Sequence, residues 1–541
     1  MLQRKISLAI AVIMVTAVFA AYGAGNKAPS STPAQAGNDK VVEFTWFRNQ
    51  SNTTSLPYWN DAFWIQELER RLNVKIKFEG PLVSPTSAEY TQAVNILLNS
   101  GDLPDALYYL WINYSGGVLG GINDKIILPV SRVPEYWDLM PNFRAIMKGN
   151  EYIRRAFTQD DGTVAHFNHL ENNTNRSCYM GYALRYDWLQ KVKLDVPTTV
   201  DQLYVVLKAF RDEYKIAPMT DWSGLETMAE LMCAWGMKRN IPYPDPDTGK
   251  ITYWTLYKDG AAFRDFVTTM NKWYKEGLID PDFATNEYAM RTTKMSSGKA
   301  AFSHILPQQY AEWRDVLIKN DPSLAGKARF EGLRHLIGPA GQPYSTNGMK
   351  SWASSNNGTV VTTAGDKRGK TKAILKVIDY LYSNDGMILN SWGKEGLTFT
   401  VDAAGKRQWT DLVLKNPKYT FNDAVRLYCI PIWGDWPKIM DYDAWLSMET
   451  KDPDSRKAHE KYITANPGLS MPQIQLSATE SVEYNKIRLD ANTMIDEYFI
   501  NLVTGVRPLS DIDVLLRELK RMGLPRAMEI FQGAYNRYLA K

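Results

Sequence analysis

Val74-Lys-Ile-Lys-Phe78 puts an apolar residue at every second position, the period of a half-buried strand. Just before it, residues 61–72 carry Trp64, Ile65, Leu68 and Leu72 at helical spacing. Further back, Val41-Val-Glu-Phe-Thr-Trp46 is β-rich and alternates again. Beyond it, Thr86 or Ser87 can cap a helix reaching Asn99, with Tyr90, Val94 and Leu97 inward. Gly101 ends that helix, Pro104 prevents its resumption, and residues 106–110 read as a third strand. The order is β-α-β-α-β, which predicts a mostly parallel sheet with right-handed crossovers. Ligands of such sheets sit outside the carboxyl ends of the strands. Here those ends carry Trp46-Phe-Arg48 and Tyr109-Leu-Trp111.

The pattern continues outward. A new unit starts at residues 182–189, followed by a helix at 200–214 capped by Thr198 or Thr199. A helix at 261–276, a strand at 299–304, a helix at 308–320, a strand region at 352–363 and a helix at 370–383 come next. The C-terminal third is helical, at 480–504, 514–522 and 525–539. With 541 residues, more than one core is expected.

The N-terminal segment bears on where the chain works. Arg4 and Lys5 precede an apolar run from Ile6 to Ala21, about 16 residues against the ~20 a bilayer span needs. A positive flank, a short apolar core and small residues at the exit read as an export signal, cut after Ala20. Residues 21–40 are small and polar and predict a disordered linker. Tyr22 stands where a lipoprotein signal has its lipid-carrying Cys, so no thioether-linked lipid is expected there, and a free periplasmic or a membrane-tethered form both stay open.

Composition narrows the function. A net charge of +4 leaves no nucleic-acid footprint. Cys178, Cys233 and Cys429 lack metal spacing and are expected as buried thiols. No His-Glu-x-x-His, Gly-x-Ser-x-Gly or Cys-x-x-Cys occurs, and His166 and His169 have no third ligand spaced near them. A glycosidase carboxylate pair is invisible to sequence because it is defined by separation in space. Ala364-Gly-Asp-Lys-Arg-Gly-Lys-Thr371 imitates a phosphate-binding loop, but Ala364 replaces its first Gly and no magnesium-binding strand comes after it; it reads as a basic loop at a helix start.

Several stretches together resemble the extracellular solute-binding proteins of ABC importers (family 1 type), in the large branch that includes alginate-binding proteins. They are Asn99-Ser-Gly-Asp-Leu-Pro-Asp105, Arg185-Tyr-Asp-Trp-Leu189, Pro197-Thr-Thr-Val-Asp-Gln-Leu-Tyr204 and Leu207-Lys-Ala-Phe210. Then come residues 273–283, Ser297-Gly-Lys-Ala-Ala301, Asp379-Tyr-Leu-Tyr-Ser383 and residues 523–535. The resemblance implies an α/β, two-lobed periplasmic-binding-protein fold (type II) with a hinge and a helical C-terminal extension. One lobe would take 41–178 plus 298–355 and the other 179–297 plus 356–541, with crossings near Cys178, Gly298 and Ser355. It also implies a non-catalytic protein, a monomer, whose closed form is recognised by membrane permease subunits. Calcium, which relatives hold after the helix matching 200–214, is not expected. Arg211-Asp-Glu-Tyr-Lys-Ile-Ala-Pro218 lacks spaced oxygen ligands, and Asp245-Pro-Asp-Thr-Gly249 has Leu256 where a calcium loop has Glu.

Sugars are held by flat rings against their C–H faces and planar polar groups at their edges. Trp64, Trp188, Trp273 and Trp313 lie at core spacing on helices and are set aside. Trp46 and Trp111 follow strand ends, Trp222 lies in the polar loop Thr220-Asp-Trp-Ser-Gly224, and Trp433-Gly-Asp-Trp436 follows Ile430-Pro-Ile432. With Trp352, they are the candidate ligand-binding rings. By resemblance His304 can donate to a sugar oxygen and Arg48 can fork onto a uronate, while Arg185 suits a structural salt bridge. The expected ligand is a carbohydrate, an oligosaccharide that by resemblance can be acidic; a binding protein for a peptide or other small polar solute and a secreted glycan-active enzyme are the alternatives.

Overall fold

The strand expected at 41–46 spans Val42–Phe47 and runs parallel to Val74–Glu79 on one side and Ala106–Tyr109 on the other. The computed structural model describes residues 40–50, 58–345, 357–429 and 436–541. Its strands and helices all belong to the unit Val42–Lys541. The segments read as signal and linker lie outside the described residues, Lys40 apart.

Eight strands carry the two main sheets: β1 (Val42–Phe47), β2 (Val74–Glu79), β3 (Ala106–Tyr109), β4 (His166–Phe167), β5 (Gly181–Arg185), β6 (Phe302–Ile305), β7 (Phe330–Gly332) and β8 (Gly358–Val361). The first sheet has the order β2-β1-β3-β8-β4 and the second β7-β5-β6. In the first, β8 runs antiparallel to both β3 and β4; in the second, β5 is antiparallel to both neighbours.

Period-two alternation decides which core each side chain joins. Phe44 and Trp46 of β1 enter one core with Ile65, Leu68 and Ile378, while the opposite face of that sheet buries Leu107, Tyr90 and Val94. Tyr182 and Leu184 of β5 face a larger core with Leu207, Phe266 and Phe499, and Ala183 faces Trp313 and Phe330. The two sheets thus have separate hydrophobic cores, each on both faces.

Local signals behave as their chemistry dictates. Ser87 Oγ accepts the Tyr90 N–H and caps Ala88–Ser100, and Gly101 ends the helix at φ 74°. Thr199 caps Val200–Tyr214, and Ser477 with Glu480 forms a capping box on Ala478–Thr504. Asp105, the last residue of the Asn99–Asp105 stretch, accepts Thr45 N–H at 2.8 Å and Arg368 Nε at 2.6 Å, stapling β1 to the start of β3. Arg368 therefore gives the phosphate-loop look-alike a structural job. Its neighbour Thr362 accepts the Gly365 N–H, so the loop caps a short helix, Thr363–Lys367. All three cysteines are buried and free.

The division into segments needs correcting. Residues 298–355 were expected with the first lobe, yet β6 and β7 flank β5 in the second sheet. Residues from 356 were expected with the second, yet β8 pairs with β3 and helix Thr371–Leu381 packs into the first core. The cause is hydrogen-bond register: Ser303 pairs with Ala183, and Val360 with Leu107. Gly298 is accordingly a turn before β6, at φ 73°, and not a crossing. The chain leaves the first sheet after β4, enters the second at β5 and returns between β7 and β8. It crosses again through Lys438–Met440, paired to His169–Glu171, and helix Pro453–Tyr462, whose Tyr462 hydroxyl donates to Tyr182 O at 2.9 Å.

Candidate functional site

Chain continuity places one end of each sheet beside the crossings: Phe47, Tyr109 and Gly358 in the first, Gly181 and Ile305 in the second. These two ends are where the sequence places its candidate residues.

At the first end the rings turn inward. Trp46, Trp111 and Trp436 are each 0% exposed, and Arg48 is 1% exposed. Trp436 is the hub of a cluster, with ring centroids at 5.3 Å to Trp46, 5.4 Å to Trp59, 4.9 Å to Trp64 and 5.5 Å to Phe78. The Arg48 guanidinium lies 3.5 Å from the Trp436 ring centroid, a cation–π contact inside the core. Trp111 donates from Nε1 to Gly358 O at 3.1 Å, tying the ends of β3 and β8 together. These four side chains serve packing in this arrangement. Trp352 and Trp433 lie outside the described residues.

At the second end a polar cluster is left open. The Trp222 loop is pinned by Asp221, whose carboxylate accepts the N–H groups of Trp222 and Met228, both at 2.9 Å. Burial pushes the pKa of Asp221 up to about 6, against the pull of those donors. Gly224 lets the chain pass beneath the indole: a Cβ there would lie 2.3 Å from the Trp222 ring. Trp222 meets Tyr288 edge to face at 5.4 Å, and both keep exposed surface. Glu226 is next, with 37% of its side chain exposed. Its Oε2 lies 3.3 Å from Arg291 Nη1 and 3.4 Å from His304 Nδ1. Burial works to raise the Glu226 pKa, but His304 and Arg291 outweigh it and hold the group below its ordinary value. Arg291, 0% exposed, also donates to His304 O at 3.1 Å and stacks 4.5 Å from the Tyr288 ring centroid.

Glu226 and His304 open onto a cavity of about 220 Å³ lined also by Met180, Glu230, Lys238 and Arg239. Glu230 pairs with His335 at 2.7 Å, and Arg239 with Asp496 at 2.8 Å. A larger hollow of about 650 Å³, lined by Trp137, Arg144, Met147 and Arg154 among others, touches neither strand end.

Of the sequence candidates, then, the structure brings together Trp222 and His304. It adds Glu226, Tyr288 and Arg291, which sequence reasoning missed. One signal was available: Tyr288 and Arg291 are three apart on helix Tyr288–Ser296 and so share a face. Arg185 makes the structural pair expected, a two-pronged contact to Asp187 at 2.8 and 2.5 Å. Among the described residues no three His, Cys, Asp or Glu side chains gather as they would around a metal ion. Asp245 instead closes a turn into the strand Ile251–Thr252 by accepting the N–H groups of Asp247 and Thr248. Among the described residues no helix is long and apolar enough to cross a membrane.

Two sheets with separate cores, linked by repeated crossings, form the two-lobed fold of the solute-binding proteins. The chain is similar over nearly its whole length to the fructooligosaccharide ABC transporter substrate-binding protein FusA of Streptococcus pneumoniae, with 24% identity over 97% of this chain and 96% of that one. The solved structure of FusA with kestose superposes with a TM-score of 0.65 over 93% of this chain and 100% of that one. The polygalacturonan/rhamnogalacturonan-binding protein YtcQ of Bacillus subtilis is 23% identical over 88% of each chain. The alginate-binding protein AlgQ2 superposes with a TM-score of 0.64 at 22% identity, over 92% of this chain and 98% of that one. No protein-family model matches. The resemblance to ABC-importer substrate-binding proteins read from the short stretches is borne out.

Proposed function

We propose that this chain is an extracytoplasmic substrate-binding protein that captures an oligosaccharide between its lobes and hands it to the permease of an ABC importer by hinge closure. The observation that carries this is the pairing of similarity over most of the chain to carbohydrate-binding relatives with a polar pocket beside the crossings, lined by Glu226 and His304. Trp222 and Tyr288 offer ring surface to sugar C–H faces, and Glu226 and His304 offer an acceptor and a donor to its hydroxyls. A ligand touching both lobes stabilises the closed state by its differential contacts with that state.

The reading is non-catalytic. Of the carboxylates that line the pocket, Glu226 faces Arg291 at 3.3 Å and Glu230 lies 2.7 Å from His335 Nε2, and the relatives are binding proteins. Export is supported by the signal-like residues 4–21 and by similarity to the lipoprotein LipO of Bacillus subtilis.

Titration calorimetry against a panel of oligosaccharides and of short peptides tests the reading, with chromatography of each sugar after overnight incubation. Saturable binding of an oligosaccharide with no new products is expected. Peptide binding with no response to any sugar would replace the ligand class, and appearance of shorter sugars would make the protein an enzyme.

A further inference from the structure

The second-lobe pocket carries a balanced set of charges. Its cations are Lys238, Arg239 and Arg291; its anions are Glu226, Glu230 and, behind Arg239, Asp496. Arg239 is held by Asp496 and by Gly224 O at 3.1 Å, Arg291 by Glu226 and His304 O, and Lys238 lies within electrostatic reach of Glu230. Burial also lowers the pKa of Lys238, so its charge is already costly. An added carboxylate would enter a low-dielectric pocket whose cations are already neutralised, facing the exposed Glu226 at close range. A hydroxyl meets no such penalty, because it donates to a carboxylate and accepts from an N–H.

The atoms around Glu226 suit that exchange. Glu226 Oε2 is fixed by Arg291 Nη1 at 3.3 Å and His304 Nδ1 at 3.4 Å, while 37% of the Glu226 side chain stays in solvent. A sugar hydroxyl can donate to that partly exposed carboxylate without displacing its partners. Trp222, partly buried, and Tyr288, exposed, lie edge to face beside this group.

We infer that this pocket selects uncharged sugar rings, with Glu226 as the specificity-determining residue that accepts sugar hydroxyls and turns uronates away. The inference rests on the carbohydrate reading above and narrows it to neutral oligosaccharides.

The test is calorimetric titration of the full chain and of Glu226→Gln with neutral oligosaccharides (fructo-, galacto- and manno-series) and with oligogalacturonates. Expected are binding of a neutral series, no measurable binding of uronates, and a loss of about tenfold or more in neutral-sugar affinity in Glu226→Gln. Wild-type protein binding uronates as tightly as any neutral sugar would overturn the inference and leave the carbohydrate reading standing. Unchanged neutral-sugar affinity in Glu226→Gln would remove Glu226 from the role. Binding of peptides but of neither sugar class would sink the carbohydrate reading itself. Trp222→Leu is the second variant, should Glu226→Gln not fold; the same neutral-sugar loss is expected, and unchanged affinity counts against the pocket.

Discussion

The two strand-end regions use the same kinds of side chain to opposite ends. In the first, Trp436 is enclosed by Trp46, Trp59, Trp64 and Phe78, and Arg48 is laid over its ring. In the second, Trp222 and Tyr288 meet edge to face, Arg291 backs Tyr288, and Glu226 stands partly in solvent. Tryptophan beside arginine therefore marks neither core nor site. What separates the two is exposure: Trp46, Trp436 and Arg48 are closed off from solvent, whereas Tyr288 and Glu226 keep part of their surface in it and Trp222 is only partly buried.

The largest effect should come from breaking the first region. Trp436→Ala removes the shared partner of four rings and is expected to cost about 3–5 kcal/mol of stability, read from urea unfolding. A shift below about 1 kcal/mol would mean that the cluster is not core and would return Trp436 to the ligand site.

Acid should next distinguish the segments joining the sheets from the Trp222 loop. His169, beside the first crossing, and His459, on helix Pro453–Tyr462, are buried and held by that burial at a pKa of about 4. They stay neutral in the native protein while the unfolded chain takes up protons below about 6.5. Stability is therefore lost as pH falls from about 6.5 towards 4, by up to about 3 kcal/mol per imidazole. Asp221 opposes this. Raised to about 6, it keeps its proton in the native state where the unfolded carboxyl has lost it, so its contribution is full below about 3.8 and is lost as pH rises to 6. With two imidazoles against one carboxyl, net destabilisation is expected on acidification. His459→Gln should flatten the slope of midpoint against pH between about 6.5 and 4; a slope unchanged by it would show that His459 titrates normally.

A smaller effect sharpens the second region. Trp222→Leu should weaken oligosaccharide binding by about 1–2 kcal/mol while moving the unfolding midpoint little, since the indole is only partly buried. The reverse, a large stability loss with intact binding, would make Trp222 a core residue like Trp436.

This contrast explains why the elements were so much more legible in the sequence than the site. Alternation at 74–78 and the Ser87 and Thr199 caps are local, and a few neighbouring residues suffice to place β2 and two helices. Lobe membership is not local: β6 and β8 join sheets through distant partners, Ala183 and Leu107, and nothing in residues 298–361 names those partners. Burial of Trp46 and Trp436 is likewise a joint property of aromatic rings that meet only after folding. Trp222 was legible because its own loop is polar and holds Gly224. Glu226, a little further on, looks like any first-turn helical carboxylate until Arg291 and His304 are brought beside it.

The smallest effect concerns a contact between the regions. Arg537, on helix Leu524–Ala540, reaches Asp160 at 2.9 Å and Glu480 at 2.9 and 2.5 Å, and Lys541 Nζ also lies 2.9 Å from Asp160. Asp160 belongs to the turn after helix Glu151–Phe157, so its pairs with Arg537 and Lys541 tie the C-terminal helix, which packs in the second core, to a helix that packs in the first. Arg537 and Asp160 are each about a third exposed (38% and 31%), and exposed pairs are worth about 1 kcal/mol or less. The Arg537–Asp160 coupling energy, read from a double-mutant cycle, should therefore be no more than that, and it should vanish in ~1 M salt, where the screening length falls to about 3 Å. A coupling several times larger that persists in high salt would mean that the C-terminal helix welds the sheets together, and a welded molecule cannot close around a ligand.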